Sequence, residues 1–147
     1  MYADDIDHVL YNDHGCKPFF RGCFPSDRLP KKLSNGTHCM VINLDKAKGK
    51  GTHWVCFFRQ NDNKGFYMDS YGMAPYIKPI KKFVKENCTY LWYNNITLQG
   101  LNSETCGMYC IVFLKEISRG STPRHFLTNF TTNHDLNDRM IKSLVYK

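Results

Sequence analysis

The segment LQGLNSETCGMYCIVFLKEI, residues 98–117, decides the reading of this chain. Its second half, TCGMYCIVFLKEI (105–117), is apolar almost all round, as a helix buried on every side is. Gly120 stands where such a helix stops. The first half is a polar, glycine-containing turn, and Cys106 sits at the junction. A helix N-terminus carries partial positive charge and unpaired backbone N–H groups. Both stabilise a thiolate, which lowers the cysteine pKa and makes the sulfur nucleophilic. Gly107, next in sequence, removes side-chain bulk where a substrate must approach. Read alone, Cys106 also fits as one more buried cysteine.

Outward from this helix, the patterning places further elements. Residues 3–13 suit a short amphipathic helix with Ile6, Val9 and Leu10 on one side. Residues 15–36 carry Gly, Pro and Ser at short intervals and read as an irregular loop. Three strand-like runs follow: HCMVINL (38–44), GTHWVCFFR (51–59) and GFYMDSYG (65–72). The linkers KAKGKG (46–51) and QNDNKG (60–65) are short and polar, as antiparallel hairpins require. Pro79 suits the first position of a helix whose buried stripe is Ile80, Phe83 and Val84. TYLWYNNITL (89–98) reads as another strand, and residues 135–146 as a last helix using Leu136, Met140, Ile141 and Leu144. The fold class is therefore α+β: a largely antiparallel mixed sheet packed on a central buried helix that starts at Cys106.

Composition bounds the rest. A chain of 147 residues suits one domain spanning 1–147. A hydrophobic content of 42% with 22% charged residues argues against disorder. The net charge of +7 allows nucleic-acid contact. No apolar run approaches the ~20 residues of a membrane helix. The start, MYADDIDHVL, lacks a signal-peptide hydrophobic stretch, so the expectation is an unsecreted protein without membrane contact. Seven cysteines, an odd number, argue against a disulfide framework in such a chain. His38–Cys39 and Cys106/Cys110 lack the paired spacing of zinc modules, and no metal site is expected.

A nucleophile needs a base, and a base needs an orienting acceptor. His53 lies in the central strand candidate between Thr52 and Trp54; read alone, it is a structural strand histidine. Asp69 closes the next strand candidate, so antiparallel pairing could set it beside His53; read alone, it caps a turn before Gly72. Gln99 could supply a neutral donor to an oxyanion, beside the Cys106 backbone N–H.

In the order His53, Asp69, Gln99, Cys106, these residues resemble the adenovirus-type maturation cysteine proteases (adenain-like). These share a clan with the proteases of ubiquitin-like proteins. GTHWVCFF is similar to that family's Gly-x-His-Trp segment, and MDSYG to its acidic-x-aromatic-Gly segment. LQGLNSETCGMYCIVFL is similar to its Gln-Gly-x-Asn-Ser-x-x-Cys-Gly block and following helix. HGCKPFFRGCFPSDRLP (14–30) resembles its Gly-Cys-x-Pro-aromatic stretch. Asp69 stands where the adenovirus enzymes have glutamate, and the chain is shorter after Cys106 than they are. It resembles a compact variant, as in virophages or virus-like transposable elements.

The resemblance implies a peptidase in which Cys106 attacks, His53 transfers protons, Asp69 orients His53, and Gln99 holds the oxyanion. Trp54 would shield the pair and shape the groove, or serve only as a core tryptophan. It implies cleavage of viral capsid precursor polypeptides next to glycine during virion maturation, by a monomer located in the virion and the infected cell. The chemistry itself requires no cofactor. The family's own cofactors are DNA and an activating peptide joined by a disulfide. Cys88 stands at the offset of the peptide-linking cysteine; otherwise it is an unpaired cysteine. Lys78, Lys81, Lys82 and Lys85, with Lys31–Lys32 and Lys46, Lys48 and Lys50, are candidate phosphate contacts on double-stranded DNA, or plain solvated surface. Two other readings stand beside this one: an isopeptidase acting on ubiquitin-like modifiers, and a non-catalytic basic DNA-binding domain.

Overall fold

The computed structural model describes residues 1–147. Helix α1 (Ala3–Tyr11) leads into strands β1 (Phe20–Pro25), β2 (His38–Asn43), β3 (Trp54–Arg59) and β4 (Lys64–Met68). Helix α2 (Lys78–Asn87), strand β5 (Tyr90–Tyr93) and helices α3 (Cys106–Ser118), α4 (Pro123–Leu127) and α5 (His134–Leu144) complete the chain.

The five strands form one sheet in sequential order. β2, β3 and β4 are antiparallel to one another, whereas β1 runs parallel to β2 and β5 parallel to β4. The centre is thus the antiparallel meander that the short linkers predict. The edges are parallel because residues 26–37 and the α2 crossover return the chain in the same direction, which a tight hairpin cannot do.

The alternation of strand side chains assigns the layers. Cys39 and Val41 of β2, Cys56 and Phe58 of β3, and Phe66 and Met68 of β4 face α1, α3, α4 and α5 in one core. The alternate residues Met40, Ile42, Val55, Phe57 and Tyr67 meet Ile80, Phe83 and Val84 of α2 in a second, smaller core. A sheet buried on both faces explains why GTHWVCFFR reads as continuous apolar rather than alternating. Arg59 is buried and donates to the carbonyls of Ser34, Gly36 and Asn87, while the Leu33 N–H donates to Asn87 Oδ1 at 2.8 Å. These bonds pin the long 26–37 connection to the end of α2.

Four expectations change. β1 lies inside the stretch 15–36 read as a loop; its irregular pairing between Phe20 and Cys23, with Gly22 at φ 118°, hides the alternation. The strand predicted over 89–98 ends at Tyr93, because Asn94 turns inward to bind backbone. α4 was not anticipated; Pro123 opens it and Thr122 accepts the His125 N–H at 3.1 Å. In α5, Leu136 is exposed whereas Asn137, Asp138 and Ile141 are buried, so its inner face is largely polar.

Candidate active site

Cys106 is the first residue of α3, on the core side of the sheet. His53 immediately precedes β3, and Asp69 immediately follows β4. β3 and β4 are antiparallel, so the start of one and the end of the other meet at the same edge. There His53 Nε2 and Asp69 Oδ1 lie 2.6 Å apart, with both side chains buried. The Trp54 N–H donates to Cys106 Sγ at 3.5 Å, so the residue after His53 holds the sulfur directly.

The electrostatics form a linked pair. Burial alone would lower the His53 pKa. The Asp69 carboxylate and the Cys106 sulfur outweigh it and raise the value from 6.5 to about 9. Burial would raise the Cys106 thiol. His53 and the N–H groups of Trp54 and Gly107 overcome that and bring it below its ordinary value. A thiol moved down beside an imidazole moved up is the condition for a thiolate–imidazolium pair. Cys16 and Cys88 differ: burial pushes Cys16 up to about 12 and Cys88 above its ordinary value.

Asp69 is held from three sides. Its Oδ1 also accepts the Tyr71 N–H at 2.8 Å, so it caps a turn and binds His53 with the same oxygen. Asn94 brackets its backbone: Oδ1 accepts the Asp69 N–H at 3.0 Å and Nδ2 donates to the Asp69 carbonyl at 2.6 Å. The turn closes at Gly72 (φ 77°), where a Cβ would come 2.7 Å from the Ile96 carbonyl carbon. Tyr71 stacks on His53 with ring centroids 4.6 Å apart.

Gln99 is buried and faces the same groove as Cys106 and His53. Its Oε1 accepts from Ser70 Oγ, and its Nε2 donates to Ser103 O at 3.0 Å and Ser103 Oγ at 3.1 Å. A carbonyl can only accept, so these partners fix which end of the amide is nitrogen. The groove, about 250 Å³, is also bordered by Met1, Lys50, Trp54, Tyr71 and Glu104.

Trp54 is half-buried; its Nε1–H donates to the Met1 carbonyl at 3.3 Å. Gly107 is buried in the first turn of α3. A Cβ there would meet Ile6 at 3.2 Å, Met1 Sδ at 3.3 Å and Trp54 Cδ1 at 3.4 Å. Its missing side chain makes room for α1, the N-terminal methionine and the tryptophan. Cys88 lies apart from this groove, half-buried beside Gly65, and its Sγ donates to the Val84 carbonyl at 3.0 Å. Lys78, Lys81, Lys82 and Lys85 are exposed on α2, across the sheet from α3. Tyr71, Asn94, Ser103 and Asp138 complete the surroundings and escaped sequence reasoning. Tyr71 lay within the quoted MDSYG segment; nothing in the local sequence distinguishes Asn94 from neighbouring asparagines.

The layered arrangement is the fold of a known viral protease. The crystal structure of the ASFV (African swine fever virus) protease superposes with a TM-score of 0.63 over 95% of this chain and 65% of that one, at 18% identity. No protein-family model matches the sequence. The sequence itself is homologous to adenovirus proteases over most of its length. It is 26% identical over 146 residues to the protease of Bovine adenovirus C serotype 10, covering 87% of this chain and 71% of that protein. It is 28% identical over 124 residues to that of Human adenovirus B serotype 3, covering 72% and 57%. With that of Bovine adenovirus 2 it shares 29% over 120 residues, covering 72% and 58%. The chain thus spans between 57% and 71% of the lengths of these relatives.

Proposed function

We propose that this protein is a cysteine endopeptidase that cleaves viral precursor polypeptides beside glycine. The observation that carries the reading is the His53–Asp69 pair at 2.6 Å beside a Cys106 thiol lowered at a helix start. The Cys106 sulfur attacks the scissile carbonyl and forms a C–S bond. His53 gives its proton to the leaving amine as the C–N bond breaks. Nε2 is engaged by Asp69, so Nδ1 carries this proton traffic. Water then attacks the thioester with His53 as base, releasing acid and thiolate. The Cys106 N–H and the Gln99 amide stabilise the oxyanion in both steps, the substrate oxygen taking one amide proton from Ser103.

Glycine preference rests on the adenovirus resemblance; Trp54 borders the groove and is the proposed side chain that would exclude bulk beside the scissile bond. Capsid precursors as substrates, and the virion and infected cell as location, rest on the adenovirus resemblance. DNA is a proposed cofactor, supported by the +7 charge and the exposed lysines of α2. Cys88, half-buried, is the proposed attachment point for an activating peptide.

The test is cleavage of capsid-precursor peptides containing Gly-Gly and Gly-x-Gly, with ubiquitin-family probes in parallel. Wild type cleaves the former, Cys106→Ala cleaves nothing, and iodoacetamide labels Cys106 in a His53-dependent way. Residual turnover by Cys106→Ala refutes the mechanism; preference for the ubiquitin-family probes moves the substrate class to isopeptides.

A further inference from the structure

The last helix places a carboxylate beneath the loop that carries Gln99. Asp138 of α5 is buried, and none of the ion pairs in the structure involves it. A buried charge without a counter-charge is costly unless hydrogen bonds replace its water. Three donors do so. Gly100 N–H reaches Oδ2 at 3.1 Å, while the Thr105 hydroxyl at 3.0 Å and the Tyr109 hydroxyl at 2.8 Å both reach Oδ1. These residues bracket Gln99 and Cys106: one follows the glutamine, one precedes the cysteine, and one lies a helical turn below.

The bonds have a direction. A carboxylate only accepts, so the single Thr105 proton goes to Asp138. Thr105 therefore accepts from Ser103 Oγ at 2.8 Å, and Ser103 Oγ in turn accepts from Gln99 Nε2 at 3.1 Å. Asp138 terminates a chain that starts at the glutamine amide. Thr105 is the N-cap residue of α3, but its side chain makes no capping bond. A threonine there ordinarily accepts the N–H of the second or third helical residue. The second is Gly107, whose N–H helps to bring the Cys106 thiol below its ordinary value.

We propose that Asp138 is a positioning residue for the oxyanion site: it ties the 99–105 loop, through Gly100 and Thr105, to α3, through Tyr109. This rests on the cysteine-peptidase reading above. Asn137 supports the same loop, donating to the Leu98 carbonyl at 3.0 Å. The glycine at 100 is part of the device, since a Cβ there would lie 3.0 Å from Asp138 Oδ2.

The experiment compares Asp138→Asn, Gly100→Ala and, as a charge control on the exposed face of α2 across the sheet, Glu86→Gln. An amide cannot accept from all three donors, so Asp138→Asn breaks the support without changing shape. Each protein is assayed for kcat and KM, for inhibition by a glycine-terminated peptide aldehyde, and for the rate of Cys106 alkylation by iodoacetamide. The aldehyde adduct carries an oxyanion; alkylation needs only the thiolate. Asp138→Asn is expected to lower kcat and aldehyde affinity together, on the order of 10- to 100-fold. KM and alkylation stay near wild type, and Glu86→Gln is unaffected. Gly100→Ala shows the same split, and decides the matter if Asp138→Asn does not fold. Unchanged aldehyde affinity, or alkylation falling in step with kcat, overturns the proposal. A wild type that neither cleaves peptides nor alkylates at Cys106 instead overturns the peptidase reading.

Discussion

Asp69 Oδ1 serves two donors at once, the His53 ring and the Tyr71 backbone. The turn that the carboxylate caps therefore also fixes the oxygen that meets His53. Because His53 is raised to about 9, an imidazolium paired with a thiolate persists up to that pH. The pH profile of kcat/KM is expected to fall on its alkaline side near pH 9. Asp69→Asn removes the carboxylate that raises His53 and shifts that limb toward the ordinary ~6.5. A limb that does not move would mean Asp69 does not govern the base. The stability linkage has the same sign. The folded pKa lies above the unfolded one, so this contribution is full below about pH 6.5 and lost as pH rises through about 9. Denaturant titrations of wild type and His53→Ala should converge across that window. Gly72→Ala meets both a positive φ and the Ile96 backbone, and should cost about 1–3 kcal/mol in the same titration.

At the scale of elements, α3 joins the site to the core. Its first residue is Cys106, and Phe113 further along meets both Trp92 (centroids 6.3 Å) and Phe126 (5.0 Å). Phe113→Ala should cost about 3–5 kcal/mol by leaving a cavity under the sheet, read as a lowered denaturation midpoint. Arg119, just beyond α3, clasps Asp13 with two bonds of 2.9 and 2.8 Å. Burial would raise the Asp13 carboxyl, but the guanidinium and the Cys16 N–H bring it down to about 2. That stability is present above the ordinary carboxylate range and lost as pH falls toward 2. Arg119 is half exposed, so Arg119→Ala should cost only about 1 kcal/mol at neutral pH, and progressively less as pH falls through 2. The elements also show where sequence reading stops. The α2 stripe of Ile80, Phe83 and Val84 was legible because apolar residues pack against an apolar sheet face. The inner face of α5 was not, because Asn137 and Asp138 are buried to satisfy loop backbone and hydroxyls whose need no helix periodicity reports.

For the whole molecule, the sheet separates two surfaces. The groove opens where β3, β4 and α3 meet, and the lysines of α2 lie on the opposite layer. If DNA binds α2, Lys81→Glu with Lys85→Glu should weaken binding across all sequences and flatten its salt dependence, leaving peptide cleavage without DNA unchanged. Binding indifferent to salt would exclude phosphate contact.

The sequence by itself determined the buried helix and the antiparallel centre of the sheet, and it singled out His53, Asp69, Gln99 and Cys106 as the candidate site. These are written as local periodicity and as residue types whose chemistry is scarce. Tertiary structure alone decided that Gly107 makes room for packing, that Asn94 brackets Asp69, and that α5 reaches back to the Gln99 loop. Each depends on residues brought together from distant parts of the chain. A hydrogen bond depends on where two groups meet in space, and spacing along one strand of sequence does not encode that meeting.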